Sequence, residues 1–291
     1  MTNDRFESPY LIRAEDLAAE LDDPALRLYD CTTRLVPDPE KYMRAESCAE
    51  AYAAAHIPGA AYLDLQGRLS DTTQPWRFMM PAPGDLARRY VDLGIGPGAR
   101  VVVYDTNGMM WSTRIWWMLR ALGFDDVRVL DGGLKNWKAE GRALSDESAS
   151  YPPADPIVPT PRPGMFCDQG AVLAFLDEKP GALLNALTTE QHAGGGIHYG
   201  RPGRISGSVN VPARGLTDPD TGLLKPAGEL RRMFADAGVD PAKPVLCYCG
   251  GGIAATLDSF VLTLMGAEKV SVYDASLSEW AQNPDLPMET D

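Results

Sequence analysis

Positive charge is in short supply in this 291-residue chain: 27 Lys and Arg stand against 40 Asp and Glu, a formal net charge of −13. Such a chain is poorly suited to nucleic acid or anionic membrane surfaces, which are recognised by basic patches. An anionic ligand would need a local electropositive pocket in an otherwise acidic protein. Cysteine is scarce too. The five present, Cys31, Cys48, Cys167, Cys247 and Cys249, are scattered and odd in number, which argues against a disulfide scaffold. Long apolar runs are missing as well. The longest, M-M-W-S-T-R-I-W-W-M-L-R-A-L-G-F at 109–124, is broken by Arg114 and Arg120 and reads as an amphipathic core helix, not a membrane span. The opening M-T-N-D-R-F-E-S-P lacks the apolar centre of a secretory signal. A cytoplasmic, reducing setting is the expectation, and there a thiol stays free.

What is present is core material. Hydrophobic residues make up 45% of the chain and charged residues 23%, the balance of a packed globular protein. The length suits two domains. Prolines 152, 153, 156, 159, 161 and 163 mark an extended linker. The expected division is residues 1–145, a linker at 146–164, and residues 165–291.

The two halves echo each other. V-V-V-Y-D at 101–105 matches V-L-C-Y-C at 245–249, which sets Asp105 opposite Cys249. V-R-V-L-D matches V-S-V-Y-D, Asp131 falls opposite Asp274, and Trp137 falls opposite Trp280. Upstream, H-I-P-G-A-A-Y-L at 56–63 resembles R-I-S-G-S-V-N-V at 204–211, and L-R-L-Y-D at 26–30 resembles A-L-L-N at 182–185. Each half alternates short apolar strands with helical segments that stop at glycine, such as G-D-L-A-R-R-Y-V-D-L-G and A-G-E-L-R-R-M-F-A-D-A-G. That alternation predicts an α/β fold with two tandem domains, each a parallel sheet flanked by helices. In such sheets ligands bind at the carboxyl ends of the strands.

Cys249 stands at that end of its strand and opens the loop Cys249-Gly250-Gly251-Gly252-Ile253-Ala254. Glycine permits backbone conformations that side chains forbid. Successive N–H groups of a tight loop can then converge on an anion, and a helix starting near Ile253 adds its positive end. A thiolate is the nucleophilic form of cysteine, so such a loop suits a reactive thiol. The competing reading is a cysteine that only fills core space. Cys247, two residues deeper on the same face, reads as packing, with a resolving thiol as the alternative. Cys-Tyr-Cys lacks the accompanying Cys or His cluster of a metal site, and no metal is expected.

Together these segments resemble the two-domain rhodanese-type sulfurtransferases, which include thiosulfate and 3-mercaptopyruvate sulfurtransferases. The resemblance covers nearly the whole chain. H-I-P-G-A-A-Y-L-D-L, V-V-V-Y-D, W-W-M-L-R-A-L-G and V-L-D-G-G-L-K-N-W are similar to the family's non-catalytic domain, with Asp105 where the other half carries cysteine. Y-C-G-G-G-I-A-A and V-Y-D-A-S-L-S-E-W are similar to the catalytic domain. The resemblance implies that Cys249 takes a sulfane sulfur from a small anionic donor, holds it as a persulfide, and passes it to a thiol or cyanide acceptor. It implies no cofactor.

The chain also departs from the family. Thiosulfate enzymes carry a C-R-K-G-V-T-like loop and mercaptopyruvate enzymes C-G-S-G-V-T, whereas this loop has neither the cations nor the Ser. The Ser of the second type is joined by a His and an Asp. His56 matches that His, but Gly251 replaces the Ser and Ala45 falls at the Asp. Donor-gripping arginines of the family fall on Leu187 and Gln191. The substrate-binding set expected here is therefore Arg201, Arg204, His198, Gln191 and His56, with an arginine fork for a carboxylate. The uncharged loop favours 3-mercaptopyruvate over thiosulfate.

Other classes fit the same residues less well. A Cys-loop phosphatase needs an arginine six residues after the cysteine, and Ala255 is there. Gly250-x-Gly252-x-x-Ala255 matches a dinucleotide fingerprint but comes late in its domain, not on a first strand–helix turn. A non-enzymatic sulfur carrier or binding module that kept the loop is the remaining alternative.

Overall fold

R-V-V-V-Y and V-L-C-Y are apolar on both faces, the pattern of strands covered on both sides. In the computed structural model, which describes residues 4–38 and 42–291, they become the central strands of two parallel five-stranded sheets. The first half contains β1 (Leu11–Ile12), β2 (Leu26–Asp30), β3 (Thr33–Asp38), β4 (Tyr42–Ser47), β5 (Ala61–Tyr62), β6 (Arg100–Tyr104) and β7 (Val127–Leu130). The second contains β8 (Phe166–Cys167), β9 (Ala182–Asn185), β10 (Arg204–Ile205), β11 (Val209–Asn210), β12 (Val245–Tyr248), β13 (Val270–Tyr273) and β14 (Met288–Glu289). The first sheet runs β1-β7-β6-β2-β5 and the second β8-β13-β12-β9-β11. The repeat in the sequence is thus a repeat of topology, strand for strand. Two antiparallel pairs lie outside it: β3 with β4, and β10 with β14.

The helices that follow the two central strands, Met110–Leu122 and Ala254–Leu264, are buried almost all round, as helices that form the centre of a core must be. They pack on each other between the halves, so one apolar core is continuous through both. Trp116 meets Phe260 edge to face, with centroids 4.8 Å apart. Such a pair is worth about 0.5–1.5 kcal/mol beyond the area it buries. Thr113 and Thr256, neighbours across this seam, bring their hydroxyls to 3.2 Å.

Polar contacts across the seam are reciprocal. Asp131, in the first half, accepts the N–H of Leu224 at 2.9 Å. Asp274, its counterpart in the second, accepts the N–H of Met80 at 2.8 Å. Met80 and Leu224 are themselves 144 positions apart, the same spacing as Asp105 and Cys249. Each half thus extends one loop over the strand ends of the other.

The Pro-rich segment is strapped along the first half. Ala154 donates to Val91 O at 3.0 Å, Thr160 to Leu122 O at 3.0 Å, and the Tyr151 hydroxyl to Gly59 O at 2.8 Å. Close approach is possible because Gly94 has φ +86° and no side chain; a β-carbon there would lie 2.5 Å from Tyr151 Cβ.

Candidate active site

The carboxyl end of β12 sets Cys249 in position. Its residue surface is only 2% exposed, yet it lines a cavity of about 430 Å³ at the seam between the halves. Gly250, Gly251, Ile253 and Ala254 line the same cavity. Gly252 turns away from it. It takes φ +71°, and a β-carbon there would sit 2.5 Å from Asp274 O. Gly250 makes room in a different way: a β-carbon there would overlap the hydroxyl of Tyr199, which also lines the cavity and would have to move.

The turn after β13 braces the loop. Ser276 is held at φ +53°, a region few non-glycine residues occupy. Its hydroxyl accepts the N–H groups of Cys249 at 3.0 Å and Gly252 at 3.2 Å, and donates to Tyr273 O at 2.7 Å. Ser278 binds Gly250 O through its N–H at 2.8 Å and its hydroxyl at 2.6 Å. Those bonds leave the N–H groups of Gly250, Gly251, Ile253 and Ala254 without an acceptor among the described residues.

Arg114 braces the loop from the first half. It is fully buried, and it donates to Gly252 O at 3.2 Å and to Phe78 O. It also pairs with Asp274 at 2.7 Å and stacks over the Phe166 ring at 4.6 Å. A buried charge survives only when paired and hydrogen-bonded, so this arginine ties helix, loop and sheet into one unit.

The equivalent loop of the first half is filled. Asp105 Oδ1 accepts from the N–H of Asn107 at 2.7 Å and Met109 at 3.1 Å. Oδ2 accepts from the N–H of Trp111 at 2.9 Å and Ser112 at 2.8 Å, and from the Ser112 hydroxyl at 2.9 Å. The carboxylate occupies an anion nest made by its own loop. Gly108 and Gly252 match in φ, at +73° and +71°, and the loops part at Met109 and Ile253, which have φ +69° and −93°.

Burial disfavours the thiolate at Cys31, Cys48, Cys167 and Cys247. Burial pushes Cys31 and Cys247 well above the ordinary thiol range, with the Asp258 carboxyl adding to the effect at Cys247. It pushes Cys167 up to about 12, and it raises Cys48 as well. Cys247 packs in the core on the face of β12 opposite Tyr248 and lines no cavity with Cys249. Among the described residues no group of His, Cys, Asp and Glu is placed to hold a metal ion, and no helix is long and apolar enough to cross a membrane.

Of the expected substrate contacts, Gln191 and His198 do line the cavity. Gln191 caps the helix Thr189–Ala193, its Oε1 accepting from the Thr188 hydroxyl. Arg201, Arg204 and His56 do not line it. Arg201 is consumed by four carbonyls, those of Trp280, Ala281, Asn283 and Leu286, at 2.7–3.2 Å. Arg204 is paired with Glu289 at 3.0 Å and Asp291 at 2.8 Å. His56 is wholly buried in the first half, stacked on Tyr52 and bonded to Tyr52 O and Glu147 O, so it fastens the strap. Sequence reasoning missed Arg77 and Arg214, which do line the cavity, and also Tyr199, Ser276 and the bracing role of Arg114. One signal was visible: a charge within an otherwise apolar helix, as at Arg114, points to a buried partner.

Comparison with known proteins agrees with this architecture. A family model described as the rhodanese-like domain matches residues 13–140 and again 173–283. The 3-mercaptopyruvate sulfurtransferase of Escherichia coli K12 is 30% identical over 287 residues, covering 96% of this chain and 98% of that protein. The thiosulfate sulfurtransferase of Rattus norvegicus is 33% identical over 248 residues, covering 82% and 81%. The crystal structure of SseA, a 3-mercaptopyruvate sulfurtransferase from Escherichia coli, superposes with a TM-score of 0.78 at 28% identity, covering 92% of this chain and 99% of that one.

Proposed function

This chain belongs to the rhodanese family as a tandem pair of rhodanese-like domains and is a sulfurtransferase, and from that premise we propose that it works through a persulfide on Cys249. The donor is a small anion, 3-mercaptopyruvate in preference to thiosulfate, and the acceptor is a thiol or cyanide. Residues 165–291 carry the chemistry. Residues 1–145 cover the site, joined to them by 146–164. The protein acts in the cytoplasm.

The observation that carries this reading is the contrast between the loops. One surrounds its own carboxylate with five donors. The other presents a cysteine to a cavity and keeps four N–H groups without an acceptor among the described residues. The Cys249 thiolate attacks the sulfur of the donor. With 3-mercaptopyruvate the carbon–sulfur bond breaks, its electron pair leaves as the enolate of pyruvate, and a proton taken up at carbon completes the product. The sulfur stays as Cys249–S–SH, which gives up its proton as the enolate carbon takes one, and the resulting Cys249–S–S⁻ anion is stabilised by the loop N–H groups and the positive end of the helix Ala254–Leu264. An acceptor thiolate or cyanide then attacks the outer sulfur, the S–S bond breaks, and the Cys249 thiolate returns.

Replacing the nucleophile tests the proposal. Cys249→Ser should lower turnover with either donor by about three orders of magnitude or more while the thermal unfolding midpoint holds. Turnover near wild type in that variant would reject the persulfide reading.

A further inference from the structure

The cavity holds anionic chemistry in an acidic protein, yet the two positions where the family's arginines would fall, Leu187 and Gln191, line it without charge. Arg201 and Arg204 are spent elsewhere, as described above. Among the described residues the arginines that line the cavity are Arg77 and Arg214. We propose that these two, one from each half, form the clamp that holds the carboxylate of the sulfur donor. The proposal rests on the sulfurtransferase reading and names how its donor is chosen.

Arg77 belongs to the loop that the first half lays over the second. That loop is anchored by the bond from Met80 N–H to Asp274. The Arg77 guanidinium lies over the Phe78 ring at 5.7 Å and donates to Met43 O, which leaves further N–H groups of the fork for a ligand. It is half-buried against Met43 and Phe78, and burial lowers its pKa, so its charge is poorly hydrated and gains much from an anion. Arg214 stands on the turn Ala213–Gly215, whose backbone is fixed by Ala213 N–H on Ala186 O and Gly215 N–H on Pro212 O. Its own side chain is exposed and makes no hydrogen bond or ion pair among the described residues.

Glu190 also lines the cavity. The wall carries two guanidinium groups and one carboxylate, and the Asp38 carboxylate also acts on Arg77, so the positive excess is small, which suits a monocarboxylate better than a dianion. The donor preference then lies in the cavity wall as well as in the uncharged glycine loop. It also gives the first half a direct part in specificity, through Arg77.

The test separates anion binding from sulfur transfer. Cys249 of the full chain is alkylated with iodoacetate and with neutral iodoacetamide, and the rate ratio is measured for wild type, Arg77→Gln, Arg214→Gln and the double variant. In either reaction the thiolate displaces iodide, so the ratio reports the carboxylate alone. The ratio should fall about tenfold or more in each single variant, and KM for 3-mercaptopyruvate should rise about ten- to a hundredfold with kcat within about twofold. Arg77→Lys, which keeps the charge, should recover part of the loss. Arg214 is exposed, so its variant keeps the fold. Wild-type ratios and KM values in both single variants and the double would overturn the clamp. A collapsed ratio in a protein that no sulfur donor can load would uphold the anion site and remove the sulfurtransferase reading instead.

Discussion

The two halves make the same turn at the end of the same strand and put opposite things in it. In the first, Asp105 fills the nest with its own carboxylate, and an external anion has nowhere to bind. In the second, Cys249 stands at the turn, Ser276 braces two of the N–H groups, and the rest face no acceptor among the described residues. The helices that follow differ in the same way. Arg114 and Asp258 occupy equivalent positions, 144 apart, and both are wholly buried. Arg114 reaches across the seam to Asp274, Gly252 O and Phe78 O, whereas neither oxygen of Asp258 has a hydrogen-bond partner among the described residues. A duplicated scaffold thus carries one half that closes its own site and lends an arginine to the other, and one half that keeps its site open.

The asymmetry can be broken at its strongest point first. Arg114→Met removes the cation and leaves the buried Asp274 unpaired, which should cost about 3–5 kcal/mol in denaturant unfolding and lower turnover as Gly252 loosens. A loss below about 1 kcal/mol would show that the seam is not held there. Asp105→Asn comes next. The amide donates where the carboxylate only accepted, so stability should fall by about 1–3 kcal/mol while kcat/KM stays near wild type. A loss of activity larger than the loss of stability explains would give the first loop a catalytic part.

Asp258 should act in the other direction. Burial alone pushes its carboxyl well above the usual carboxylate range, so the folded chain keeps it neutral while the unfolded chain ionises it above its ordinary value of 3.8. Its contribution to stability is therefore complete below that value and declines as pH rises from there. Asp258→Leu should raise the unfolding midpoint by more at about pH 8 than at about pH 4. A difference that does not change with pH would contradict the sign. Smallest of all should be Gly251→Ser. Gly251 has no positive φ, and a β-carbon would find Ser278 Oγ at an ordinary 3.6 Å. Stability should stay within about 0.5 kcal/mol, in contrast to Gly252, where left-handed φ and the Asp274 carbonyl leave no room for a side chain.

Local signals in the chain went a long way toward the fold. The near-constant offset between the halves is a pattern along one dimension, and it reappeared as two sheets with matching strand order. Cys249 was legible for the same reason: strand, cysteine and three glycines are contiguous, so the turn they make is set locally. The arginines of the cavity wall were not. Arg201 lies close in sequence to the loops of the second half, but its guanidinium meets carbonyls at and after the end of the helix Ser276–Trp280, about 80 residues away. Arg77 lies in an aperiodic stretch of the other half, and it is long-range contacts of that loop, with Asp274 and Arg114, that bring it to the cavity. The β3–β4 hairpin, which sets Leu35 and Met43 at the cavity wall, was also missed. Pro37 interrupts its strand pattern and argues against a strand from sequence.

The central claim is that one of five cysteines is presented for sulfur, by a loop whose twin is closed. Incubating the protein with 3-mercaptopyruvate and mapping its peptides by mass tests this directly. The account predicts one added sulfur on the peptide carrying Cys249, at that residue, and none on Cys31, Cys48, Cys167 or Cys247. No added sulfur, or sulfur on another cysteine with Cys249 unchanged, would contradict it.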